Sequence, residues 1–175
     1  MASLYPPGRS DTQGHHVGNA TRVLRWEIAA GPISCGNGKV NRMSDSVVVG
    51  WINTPEGQAA VTAAVEEARR RNGRLFIVHS AHGGEDDART VVAVRDALEE
   101  LEERLRSEGV AVTIRDLVRG NDPADDVIEV AEKEDAALIV IGLRRRSPVG
   151  KLLLGSNAQD ILLRAACPVL AVKAG

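Results

Sequence analysis

The chain reads as an α/β protein: a five-stranded parallel doubly wound sheet, strand order 3-2-1-4-5, with helices on both faces. Three observations predict it. Five short runs of Val, Ile, Leu and Ala alternate with four longer amphipathic segments, and parallel pairing of such strands demands helical crossovers between them. The run at 137–141, ALIVI, contains no polar residue, which is how a strand buried on both faces is written. Two of the intervening segments open on Thr54-Pro55-Glu56 and Asp122-Pro123, a capping side chain followed by the residue that suits a first helical turn.

The first 42 residues stand apart from this pattern. They hold Pro-Pro, Gly-Pro and Gly-Asn-Gly punctuation and no sustained periodicity outside TRVLRWEIAA. We expect residues 1–42 to be a disordered N-terminal extension, in which that patch forms a helix or strand turn on finding a surface. Two other readings compete: an organellar transit segment, and Met43 as the true initiator of a domain at 43–175.

From Ser46 the elements follow in order. Val47-Val48-Val49-Gly50-Trp51 is the first strand, and helix one should run from Thr54 to about Asn72-Gly73 with Ala60, Val61, Ala64, Val65 and Ala68 inward. Leu75 to Val78 is the second strand. Helix two places Val91, Val94, Leu98, Leu101 and Leu105 on one face and stops at Gly109. Val110 to Ile114 is the third strand, Gly120-Asn121-Asp122-Pro123 turns into helix three with Val127, Ile128 and Ala131 inward, and 137–141 is the fourth strand. Helix four opens at Ser156, read as its cap, with Ile161, Leu162 and Ala165 inward; Val169 to Val172 is the fifth strand, at the sheet edge. In this order the first and fourth strands are neighbours whose following loops diverge, leaving a crevice at their carboxyl ends.

Composition narrows the function classes. The chain has 175 residues, 43% apolar, and only four aromatics, Tyr5, Trp26, Trp51 and Phe76, so aromatic platforms for stacking bases are scarce. Residues 43–175 carry 17 basic and 22 acidic side chains, which gives no general attraction to a nucleic-acid backbone. No nucleic-acid partner is expected. No apolar run reaches membrane-spanning length and 1–42 lacks a secretory core, so a cytoplasmic protein without a membrane association is expected. Cys35 and Cys167 suggest neither a disulfide framework nor a metal site.

The crevice loop runs Gly142-Leu-Arg144-Arg145-Arg146 through Lys151 to Gly155-Ser156. It is not a phosphate-binding loop of the GxxxxGK[ST] kind, because Leu152 follows Lys151, and no GxGxxG follows the first strand. Four cations beside a helix start nevertheless suit a phosphate. His79 and His82 have the spacing of a metal pair without a third ligand beside them, so no metal is expected. Ser156 lacks the surroundings of a nucleophile, and no catalytic constellation is legible.

LIVIG, then Gly142, then Gly155-Ser156, a helix ending in Cys-Pro-Val-Leu-Ala-Val-Lys, and the Gly120-x-x-Pro123 turn together resemble the universal stress protein family over about Ser46 to Lys173. The resemblance implies a regulatory stress-response module, ATP or another adenine nucleotide as ligand in some members, and a homodimer through the last strand, Val169 to Val172. It assigns Gly142 as the first motif glycine, Gly155 and Ser156 as the phosphate-holding pair, and Asn157 as the next helix-start position. Arg145 stands where the family's second glycine would be and Ile52 where its nucleoside-contacting acid would be. The candidate binding set is therefore Gly142, Arg144, Arg145, Gly155, Ser156 and Asn157, with the arginines supplying attraction that the replaced glycine cannot. The alternatives are a nucleotide-free dimer that works by protein contacts, and an ATP-hydrolysing enzyme.

Overall fold

The computed structural model describes the strand Val23–Trp26 by its backbone, and residues 45–81, 88–144 and 155–174. In chain order the elements are β1 (Val23–Trp26), β2 (Val47–Gly50), α1 (Pro55–Arg71), β3 (Leu75–Ala81), α2 (Ala88–Ser107), β4 (Val112–Val118), α3 (Pro123–Lys133), β5 (Leu138–Leu143), α4 (Ser156–Arg164) and β6 (Val169–Lys173). They form one sheet of order β1-β6-β5-β2-β3-β4. The five strands from β2 to β6 are parallel and reproduce the expected 3-2-1-4-5 order.

Alternation along each strand divides the apolar residues between two layers. Val47, Val49, Ile77, Val140 and Val172 point toward α1 and α2, while Val48, Phe76, Val78, Ile139 and Ile141 point toward α3 and α4. Both layers are packed with aliphatic side chains, each worth about 1.5–3 kcal/mol when fully buried. Helices α1 and α3 start as their sequences dictate: Thr54 Oγ1 accepts from the Gly57 N–H at 3.3 Å, and an Asp122 carboxylate oxygen accepts from the Ala124 N–H at 2.9 Å. Asn72 ends α1 in the left-handed region, at φ 51°.

Several boundaries differ from the expectation. The strand read at Val110 to Ile114 starts at Val112, because Gly109 adopts φ 75° and the Val110 N–H is spent on Leu105 O at 3.0 Å. It continues to Val118 because its ladder with β3 runs on to the pair Ala81 and Val118, carrying the exposed Arg115 and Asp116 along the outer edge. Val91, placed on the inner face of α2, is 54% exposed; the helix is seated by the buried Leu98, Leu101 and Leu105, with Val94 and Ala97 partly buried against the same core.

The end of the sheet also differs. β6 is not an open edge: β1 lies antiparallel against it, Val23 opposite Val172 and Trp26 opposite Val169. This strand comes from the TRVLRWEIAA patch, within the segment expected to be disordered, and the rest of 1–42 lies outside the described residues.

Candidate functional site: the crevice between β2 and β5

Strand β2 has β3 on one side and β5 on the other. Helix α1, which follows β2, packs in one layer and α4, which follows β5, packs in the other, so the crevice lies at the carboxyl ends of these two strands. A cavity of about 130 Å³ opens there. Its walls are the ends of three strands (Gly50, Trp51 and Ile52; Val78 and Ser80; Ile141 and Gly142) and the first two turns of two helices (Pro123 and Val127; Asn157, Ala158 and Ile161). The lining is mostly apolar with a few polar groups at its margins, which is the general make-up of a small-molecule site.

The candidate residues fall around this cavity as follows. Gly142 and Asn157 line it. Gly155 and Ser156 are exposed at the start of α4, and Arg144 is exposed just beyond β5. Arg145 lies outside the described residues, as do Arg146, Lys151 and His82.

Two of these glycines have different physical reasons. A Cβ on Gly142 would stand 2.5 Å from the backbone carbonyl oxygen of Glu56, so packing against the first turn of α1 already requires glycine. Among the described residues, a Cβ on Gly155 would meet nothing within 4 Å. Packing therefore leaves Gly155 unexplained.

Ser156, expected to cap α4, is instead the first helical residue; Gly155 is the cap and makes no side-chain bond to the helix. The Ser156 hydroxyl contacts Asn157 Oδ1 at 3.4 Å. Unlike α1 and α3, α4 thus begins with N–H groups that no side chain among the described residues caps, and it begins at the mouth of the cavity. Such a helix end carries partial positive charge and free donors, which together suit an anion.

The sequence reading missed the polar wall. Asp126 is fully buried on α3, and it holds two side chains: Ser80 Oγ–H donates to Oδ2 at 2.6 Å and Asn121 Nδ2–H donates to Oδ1 at 3.1 Å. Position in the first turn of α3 helps such a charge. The signal was present, since Asp126 lies four residues before the buried Val130 and so falls on the apolar stripe of its helix, where an acid is out of place.

His79 is engaged elsewhere. Its Nδ1 lies 2.9 Å from Asp116 Oδ1, and its ring meets Trp51 edge-on with centroids 5.8 Å apart. Among the described residues, no group of three or more His, Cys, Asp or Glu side chains could hold a metal ion. Nor does any described helix have the length and apolarity to cross a membrane. Burial pushes the Cys167 thiol up from its ordinary value, as fits a small side chain half-enclosed behind β5.

Comparison with known proteins gives the same outline. The model of the universal stress protein family matches residues 43–173. A universal stress protein of Mycolicibacterium smegmatis is 43% identical over 128 residues, 73% of this chain and 96% of that protein. Among solved structures, a universal stress protein from Archaeoglobus fulgidus has 36% identity and a TM-score of 0.62, covering 73% of this chain and 98% of its own. One from Archaeoglobus fulgidus in complex with dAMP has 32% identity and a TM-score of 0.58, covering 73% and 97%. Another universal stress protein, in complex with cAMP, has 27% identity and a TM-score of 0.58, covering 74% and 97%.

Proposed function

Since the chain belongs to the universal stress protein family, we propose that it is a cytoplasmic regulatory module of the stress response that binds an adenine nucleotide in the β2–β5 crevice. The observation that carries this reading is the uncapped N-terminus of α4 at the mouth of an apolar cavity. A heteroaromatic base fits among Ile52, Val78, Val127 and Ile141, and phosphate meets the α4 donors at Gly155 and Ser156 with Arg144 beside them. Relatives solved with dAMP and cAMP support the ligand class. ATP is the member of that class with the most charge for Arg144 and Arg145 to meet. The module binds rather than catalyses in this reading.

Calorimetric titration of ATP and AMP at fixed salt tests it. Gly155→Val should abolish binding without loss of fold, because the added side chain enters open space that phosphate would otherwise approach. Arg144→Ala should weaken ATP roughly ten- to a hundredfold, the loss of one charge-assisted contact. Arg145→Gly restores the family spacing: tighter binding would mark Arg145 as an obstruction, weaker binding as a ligand. No heat from the wild type or from Arg145→Gly would overturn the nucleotide reading.

The alternative, a nucleotide-free module that acts by protein contacts, draws on Ile52, which is 42% exposed where an acid would meet a nucleoside. A homodimer through Val169 to Val172 belongs to both readings, and it requires β1 to leave the β6 edge.

A further inference from the structure

Ser80 lines the crevice cavity, and its hydroxyl proton is already committed. A hydroxyl has one proton to donate and two lone pairs to accept with. Here the proton goes to Asp126 Oδ2 at 2.6 Å, and Asp126 cannot turn away, being fully buried and held at its other oxygen by Asn121 Nδ2 at 3.1 Å. Asp126 itself sits on α3, whose start is fixed by Asp122 and Pro123. What Ser80 has left for the cavity is acceptor capacity alone.

We propose that the Asp126–Ser80 pair is a specificity device: it orients the Ser80 hydroxyl so that the cavity favours a ring ligand with an N–H donor at its edge, such as the 6-amino group of adenine, over one without. Asp126 is a positioning residue in this arrangement, since it acts through Ser80. The rest of the cavity wall is chiefly aliphatic, so a ring's shape is accepted there with little discrimination, and Ser80 is the polar group that β3 brings to it. A ligand lacking the donor displaces water from this half-buried hydroxyl without replacing its hydrogen bond, and a bond lost in that way is what makes a site selective. The proposal rests on the nucleotide reading above and adds the choice of base edge to it.

The test compares AMP with purine riboside 5′-monophosphate, which has the same ring and phosphate but no 6-amino group. The wild type should bind AMP roughly three- to tenfold more tightly, the range for one neutral hydrogen bond at a half-buried hydroxyl. In Ser80→Ala the ratio should fall to near one, and Ser80→Thr should keep it. Asp126→Asn should also collapse the ratio, because Asn121 already donates to one side of the group and the new amide then turns its NH2 toward Ser80. The hydroxyl becomes acceptor to that amide and donor to the cavity, where it opposes an amino group. The ratio separates this role from a merely structural one, which would weaken both ligands alike. If AMP binds the wild type and the two ligands bind equally, or the ratio survives Ser80→Ala, the inference is overturned and the nucleotide reading stands. If neither ligand binds, the nucleotide reading falls and takes the inference with it.

Discussion

At the scale of single residues, Gly142 and Gly155 look alike in the sequence and differ in space. Gly142→Ala forces its new Cβ against the Glu56 carbonyl, a backbone atom that can yield only by shifting α1. Overpacking of this kind costs about 1–3 kcal/mol. The melting temperature should drop by roughly 3–10 °C, whereas Gly155→Val should leave the melt nearly unchanged. A circular dichroism melt of both variants checks the contrast, and equal effects would remove it. Glycine spacing in the sequence marked Gly142, which lines the cavity, but it could not separate a glycine demanded by packing from one with open space around it. Asp126 shows the complementary gap: its partner Ser80 is 46 residues away, so only the sheet brings the pair together.

At the scale of elements, helix starts were the most legible feature and also the source of one error. Thr54-Pro55 and Asp122-Pro123 signal their helices because the capping bond is local, formed within three residues. Ser156 carries the same chemistry one position too late, at the first helical residue, where its hydroxyl no longer reaches the orphan donors. Thr54→Ala should therefore cost about 1 kcal/mol and Ser156→Ala close to nothing. Denaturant titration of the two variants measures the difference; a comparable loss at Ser156 would mean that it caps α4 after all. Strand order was legible because buried parallel strands leave few ways to pack their crossovers. The length of β4 was not, since its polar second half is decided by the ladder with β3 rather than by burial.

For the whole molecule, the decisive feature is what covers the β6 edge. An uncovered edge strand presents a row of unpaired N–H and C=O groups to any other chain. β1 pairs with them antiparallel and lies outside the segment that the family model matches. Three interstrand steps, about 14 Å, separate β1 from β2. The twenty residues 27–46 that join them span this easily. Tethering of this kind acts like a local concentration of about a millimolar, which a second copy must exceed to displace β1. A chain starting at Met43 should thus self-associate in sedimentation at concentrations where the full chain stays monomeric, and Leu170→Lys in the shortened chain should reverse it. Equal sedimentation of the full and shortened chains would refute the competition.

That edge also has a history during synthesis. Val23 precedes and its partner Val172 follows all of β2 to β5 in the chain, so β1 must wait for that whole stretch to be made before it can pair. The interior strands β2 and β3 meet much sooner, and contacts so distant in sequence close late. β1 is therefore a clasp that shuts only after β6 has been made: a nascent or truncated chain that lacks β6 leaves β1 unpaired, and one that lacks β1 leaves β6 bare.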